Sequence, residues 1–193
     1  MSADDVVAAF GRVLNATEEA QPELDALDAV AGDGDHGVTM VLGWRAVVAA
    51  LEAVTPATPG EALRTAAEAF AGVGGSAGPL WGTALLRAAR VVADDGDLAA
   101  AAQAAADGVC ERGHCLEGER TVVDAMAPAA RALAAGGDLA AAAAAAAEGA
   151  AATANLVPHR GRAALAPDRA RGHVDAGARA AAIFWCAVAR ERP

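Results

Sequence analysis

Apolar positions in this chain recur at the three- and four-residue spacing of a helix rather than at every second residue. Leu24, Leu27 and Val30–Ala31 trace one such stripe, with Asp28 on its last turn and Gly32 beyond it as a left-handed stop. Alanine dominates, with Ala140 to Ala147 as the extreme run, while β-branched and aromatic residues are scarce. Alanine is the best helix former, so the chain reads as all-helical. The pattern predicts helices over residues 4–15, 21–31, 38–53, 60–72, 79–94, 97–109, 121–135, 138–154 and 173–190. Punctuation rich in glycine, proline and charge separates them: "GDGDHG", "TPATPG", "GVGGSAGP", "DDGD", "GERT", "AGGD" and "RGRAALAPDRARGH". Connections this short make consecutive helices antiparallel, which gives an all-α, up-and-down bundle. No repeat and no second hydrophobic unit appears, so residues 1–193 read as a single domain.

Composition narrows the ligands. Aromatic residues make up 3% of the chain and tyrosine is absent, which argues against stacking on nucleic-acid bases. A net charge of −10 disfavours polyanions as well. An anionic ligand therefore needs a local cation, either a metal or a cluster of arginines. Cys110, Cys115 and Cys186 are odd in number and read as reduced thiols; a zinc site from Cys110, His114 and Cys115 lacks a fourth ligand at a familiar spacing. The acidic start "MSADDVVAAFGRVL" is unlike a signal peptide, and no apolar run is expected to span a membrane. The expectation is a cytoplasmic protein that engages neither nucleic acid nor membrane.

Candidate chemistry centres on "GDGDHG". Asp28, Asp33 and Asp35 follow D-x4-D-x-D. Asp33 and Asp35 would point apart on a continuing helix, whereas a turn opened by Gly32, Gly34 and Gly37 lets both bend toward Asp28. Three carboxylates without a thiolate suit Mg²⁺ or Ca²⁺. An EF-hand is excluded, because counting from Asp33 places Gly37 at position 5 and Trp44 at position 12. Mg²⁺, which completes its shell with water and phosphate, is the better fit. The competing reading is a solvated turn whose acids cap helix starts, with His36 a packed or capping histidine.

Three further stretches add to this. "GVGGSAGPLWGTALLRAAR" sets a glycine loop before a helix with Pro79 near its start, where exposed amides can take phosphate, or where helices merely pack closely. Thr121 and Asp124 in "GERTVVDAM" have capping-box spacing, and plain helix initiation is the simpler account of them. Between His159 and His173, Arg160, Arg162, Arg169 and Arg171 face only Asp168, a local charge of +3. Such a segment is either a solvated basic loop or an arginine site for a nucleotide phosphate.

In order along the chain, these motifs resemble the nucleotide-binding L-subunit family of dihydroxyacetone kinases. "GDGDHGVTM" matches the family's G-D-G-D-H-G-x-N-M, and "GGSAGPLWGT" its G-G-A-S-G-P-L-x-G-T. "GERTVVDAM" corresponds to G-D-K-T-M-x-D, and "GRAALAPDRARGHVDAGA" to G-R-A-S…G-H-x-D-P-G-A. The resemblance implies a barrel of about eight antiparallel helices with the nucleotide site in the loops at one end. It implies ADP or ATP with two Mg²⁺ ions held by Asp28, Asp33 and Asp35. His36, Gly37, Val38, Thr39, Ser76 and Ala77 would border the phosphates, Gly118 and Ala127 the adenosine, and Arg162 and Asp175 would close the pocket. Phosphoryl transfer would go to a hydroxyketone on a separate substrate-binding K-subunit, in some systems with an M-type phosphotransferase partner as donor. The chain departs from the family at Thr39 (asparagine), Ser76–Ala77 (swapped), Arg120 (lysine), Ala176 (proline) and "ALAPD" (S-Y-L-G-E). The related nucleotide domain of fatty-acid kinases carries D-G-D-T-G, against which His36 and the short chain argue. A regulatory nucleotide-binding module without turnover is a further alternative.

Overall fold

Alanine lowers the cost of helix formation everywhere in this chain, so caps and buried stripes decide where helices start and how they pack. The computed structural model describes residues 2–93 and 97–190. Its helices are α1 (Ala3–Ala29), α2 (His36–Val54), α3 (Pro59–Ala71), α4 (Ala77–Ala93), α5 (Leu98–Gly113), α6 (Val123–Ala134), α7 (Leu139–Ala152), the short α8 (Pro167–Ala170) and α9 (Ala176–Ala189). Two 3-10 turns, Thr153–Asn155 and Arg162–Leu165, lie in the return between α7 and α9, and no strand occurs among the described residues.

The eight long helices close a ring. Each packs on its neighbour in sequence, α7 packs on α9, and α9 packs back on α1. Neighbours run antiparallel, as the close contacts show. Gly82 at the start of α4 lies against Ala71 at the end of α3, and Gly60 at the start of α3 lies against Ala93 at the end of α4. Arg12 donates to the Ala187 carbonyl at 3.1 Å, while Arg179, early in α9, bonds Glu23, late in α1. Alternate connections therefore share an end. The loops 30–35, 72–76, 114–122 and 153–175 all lie at one end, and these carry the four motifs singled out from the sequence.

The scarce aromatics converge. Trp44 of α2 lies 5.7 Å from Phe10, 4.7 Å from Phe70, 5.2 Å from Trp81 and 5.6 Å from Phe184, centroid to centroid. Gly43 is what admits the Phe70 ring, since a Cβ there would fall 2.4 Å from two ring carbons. On the α5–α7 side the core is filled by alanines such as Ala106, Ala129 and Ala146, so helices approach closely without large side chains.

Several sequence expectations need correction. The segments 4–15 and 21–31 are one helix, α1, running through Pro22. Phe10, Val13, Thr17 and Leu24 form one buried stripe across the expected break, and packing on α2 and α9 keeps the polar stretch between them helical. Helix α1 ends at Ala29, and the left-handed residue of the loop is Gly34 (φ 78°), not Gly32. Helix α5 continues to Gly113, beyond the expected 109, and closes on the left-handed His114. The last helix starts at Ala176 rather than 173, because Asp175 caps it by accepting from Ala178 N. Residue 94 of the expected 79–94 helix, with 95 and 96 of "DDGD", lies outside the described residues. Finally, α2 is long and apolar enough to cross a membrane by length and composition, contrary to expectation. Its place in the ring accounts for that composition: Met40, Trp44, Val47 and Leu51 are buried in the core, and Arg45 pairs with Glu18.

Candidate functional site

The turn between α1 and α2 is shaped by glycines that clear space for carboxylates. Asp28, on the last turn of α1, accepts from Gly34 N at 2.8 Å and Asp35 N at 3.3 Å through Oδ2. Its Oδ1 lies 2.3 Å from where a Cβ on Gly32 would stand, so only glycine leaves that oxygen room. The turn reverses at Gly34, whose positive φ suits a residue without a side chain. One carboxylate oxygen from each of Asp28, Asp33 and Asp35 then lies within 4.8 Å of the others. Asp28 is half-buried and the other two are exposed. Two amides on Asp28 Oδ2 leave the other oxygen of that carboxylate without such a donor. The donor set is all hard oxygen from a few carboxylates, with the rest of the shell left to water and phosphate, which fits Mg²⁺.

Cationic and polar groups border this triad. Arg162, at the start of the second 3-10 turn, is ion-paired with Asp33, and Arg169 donates to the Ala29 carbonyl at 3.3 Å. The basic return segment thus lies over the aspartate turn. His36 opens α2 with its Nε2 buried and without a hydrogen-bond partner. Burial lowers its pKa against the opposing pull of Asp28, Asp35 and Asp25, which favours the uncharged imidazole. An orphaned buried ring nitrogen beside three carboxylates is a polar group without its complement.

A second cluster joins the 114–122 loop to the start of α9. Asp124, buried, accepts from Gly118 N at 2.5 Å and Thr121 N at 2.7 Å. This is the reach-back half of the expected capping box; Thr121 Oγ1 serves Val123 N rather than Asp124 N. Arg120, buried and left-handed at φ 60°, donates to the carbonyls of His173 (2.9 Å) and Ala170 (3.3 Å) and lies 3.6 Å from Asp175. Desolvation pushes Asp175 up to about 6, opposed by the Ala178 amide and Arg120 and reinforced by Asp124.

The structure joins Asp28, Asp33, Asp35 and Arg162 directly, with His36, Gly37, Val38 and Thr39 following in the first turns of α2. Exposed Ser76 and buried Ala77 lead into α4, Gly118 lies in the 114–122 loop, Ala127 lies on α6, and Asp175 lies at the start of α9; all belong to the same end. Among the described residues, no hydrogen bond joins these last five to the triad. Cys110 and Cys115 do not gather with His114 into a metal cluster, and burial raises both thiols. A shallow cavity of about 360 Å³ between α3, α4 and α5, lined by Glu68, Thr83 and Arg112, holds none of the candidate residues.

Sequence reasoning missed Asp25, Arg120 and Asp124 as site-shaping residues. Asp25 had one signal, its position three residues before Asp28 on the same helix face. Its Oδ1 accepts from Val38 N at 3.1 Å.

Comparison with known proteins gives the family of the chain. Residues 30–190 match the DAK2 domain. A D-erythrulose kinase of Mycolicibacterium smegmatis is 37% identical over 95% of this chain, which spans 34% of that protein. The ADP-binding subunit of PEP-dependent dihydroxyacetone kinase 1 from Listeria innocua is 33% identical over 89% of this chain and 87% of its own length. The dihydroxyacetone kinase of C. freundii, solved with AMP-PNP and Mg²⁺, superposes with a TM-score of 0.80 and 27% identity over 95% of this chain and 33% of its own. The chain is thus about a third of the length of the first and last of these relatives.

Proposed function

Because the chain belongs to the DAK2-domain family, we propose that it is the Mg²⁺–nucleotide subunit of a kinase for dihydroxyacetone or a related short hydroxyketose. The phosphoryl acceptor is held by a separate K-subunit, and an M-type phosphotransferase partner is the donor where ADP stays bound; the setting is cytoplasmic. The observation that carries this reading is the convergence of Asp28, Asp33 and Asp35 within 4.8 Å, beside Arg162.

Asp28, Asp33 and Asp35 would hold the metal, two ions in the reading favoured here, which supplies positive charge against the triphosphate and the transferring group. Asp28, fixed by two amides, is the rigid member of the set, and Asp33 and Asp35 complete it from the turn. Arg162 supplies a cation for phosphate oxygens, and the buried Nε2 of His36, which has no hydrogen-bond partner, can donate or accept there. Gly118 and Ala127 border the base, Arg120 holds the 170–175 segment that leads to Asp175, and Asp175 and Arg162 close the pocket. Among these residues positioning and charge do the catalytic work, and no dedicated base from this chain is required. Erythrulose and dihydroxyacetone both occur among the relatives' substrates, and the partner that binds the carbonyl group decides between them.

Mg²⁺ and ADP should stabilise the fold jointly, because each lacks its counter-charge without the other. Together they should add about 2.7 kcal/mol at roughly 100 times the dissociation constant. Melting with each alone and with both tests this, and an equal shift from Mg²⁺ alone would defeat it. Dihydroxyacetone phosphorylation should require an added K-subunit; turnover by the chain alone would refute the division of labour.

A further inference from the structure

We propose that Asp25 is a positioning residue for the metal triad: it caps α2 from the neighbouring helix and so leaves the Asp35 carboxylate free to coordinate. This rests on the Mg²⁺–nucleotide reading above and assigns a role to a residue outside the D-x4-D-x-D motif.

Asp35 occupies the N-cap position of α2, its carbonyl accepting the first helical bond from Thr39 N at 2.9 Å. An aspartate there normally spends its side chain on the amide of the second or third helical residue. Asp35 makes no such bond. The third amide, Val38 N, donates instead to Asp25 Oδ1 at 3.1 Å, across thirteen residues of chain. Asp25 is steadied from one turn earlier on α1 by Gln21 Nε2, 3.5 Å from its Oδ2. The start of α2 must lie almost on α1 for this, and Gly37 allows it. A Cβ at that position would stand 2.4 Å from the Gln21 carbonyl and 2.7 Å from Asp25 Oδ1. Asp35, relieved of capping, has an oxygen within 4.8 Å of its two partners, while Asp25 is not among the clustered carboxylates. The two aspartates divide the tasks: one satisfies the helix, the other faces the ion.

The test combines ligand binding with a cycle on the empty protein. By calorimetry, Asp25→Ala should weaken ADP binding in Mg²⁺ about tenfold, as Asp35 is drawn into the vacated cap. ADP affinity in EDTA should stay within about twofold, and Asp25→Asn, which keeps an acceptor oxygen, should restore most of the Mg²⁺-dependent affinity. Without ligand, Asp25→Ala and Asp35→Ala should each cost little in melting temperature. The double variant should fall below the sum of the two by about 3 °C, because no cap then remains. Additive melts with intact Mg²⁺ dependence would overturn the role of Asp25 alone. So would an Asp25→Asn loss as large as that of Asp25→Ala, which would point to charge rather than capping. Equal ADP affinity of the unaltered protein in Mg²⁺ and EDTA would instead overturn the proposed function itself.

Discussion

Arg162→Ala should move two affinities in opposite directions. In the structure Arg162 and Asp33 satisfy each other across the gap between the return segment and the aspartate turn, with both side chains about half exposed. A metal on Asp33 and a phosphate on Arg162 require that pair to part. Exposed ion pairs are worth about 0.2–1 kcal/mol. Deleting the guanidinium releases Asp33, so Mg²⁺ alone should bind about 1.4- to 5-fold more tightly. Binding of ADP with Mg²⁺ loses a charge-assisted bond of about 1.5–3 kcal/mol. Offsetting that by the pair no longer broken leaves a loss of about 0.5–2.8 kcal/mol, or roughly 2- to 100-fold.

Calorimetric titration with MgCl₂ alone, then with ADP in saturating Mg²⁺, reads both numbers on one preparation. Melting of the empty variant should change little, since the pair is exposed and its segment is anchored separately by Arg120 and Arg169. If Mg²⁺ affinity does not rise and ADP affinity does not fall, the basic segment is a solvated strap and the phosphate assignment of Arg162 is wrong.

The Asp175 carboxyl, raised to about 6, binds a proton in the folded protein that the unfolded chain sheds near its ordinary 3.8. Its contribution to stability is therefore largest below about pH 4 and is lost as pH rises to about 6. Asp175→Asn keeps a good N-cap for α9, and denaturant midpoints measured from pH 4 to 8 should show a stability curve that descends less than that of the unaltered protein; parallel curves would refute the assignment. Gly37→Ala should cost about 1–3 kcal/mol in denaturant unfolding, because its Cβ would meet the Gln21 carbonyl backbone of α1 at 2.4 Å; an unchanged midpoint would show that α2 does not lie so close.

The all-helical class and the aspartate turn were legible because their signals are local. Alanine content sets the class, and the D-x4-D-x-D spacing with its glycines announces a turn that gathers charge. What escaped depends on contacts between distant segments. The continuity of α1 is enforced by burial of Phe10, Val13, Thr17 and Leu24 against helices that lie elsewhere in sequence, which local polarity and Pro22 conceal. Arg120 was visible as a replacement for lysine, yet its burial comes from carbonyls at 170 and 173, some fifty residues on. Asp25 was hidden among the other acids of α1, and only the approach of Gly37 distinguishes it from Glu18, Glu19 or Glu23. Gly32 was read as a left-handed stop when its requirement is steric, set by Asp28 Oδ1.

The two ends of the ring differ in how their helices begin, and this separates scaffold from site. At the end away from the motifs, Ser2, Thr58, Asp97 and Asp138 each accept from the third amide of the helix they start. Those starts are closed by their own caps, each worth about 0.5–2 kcal/mol. At the motif end, α2 and α6 begin at Asp35 and Val122, neither of which makes a side-chain cap bond. The third amide of α2 is served from elsewhere, by Asp25 on α1, and the first amide of α6 by Thr121 Oγ1, while Asp124 reaches back to the Gly118 and Thr121 amides of the loop before α6. A helix start closed by its own aspartate has no carboxylate to offer a ligand, whereas one capped from a neighbour keeps it. The exception at this end supports the distinction. Asp175 does cap its own helix, and it is the carboxylate that burial has raised to about 6 and that Arg120 restrains. Its side chain is committed to holding α9 and the return segment together, and among the described residues the carboxylates that cluster at this end are Asp28, Asp33 and Asp35.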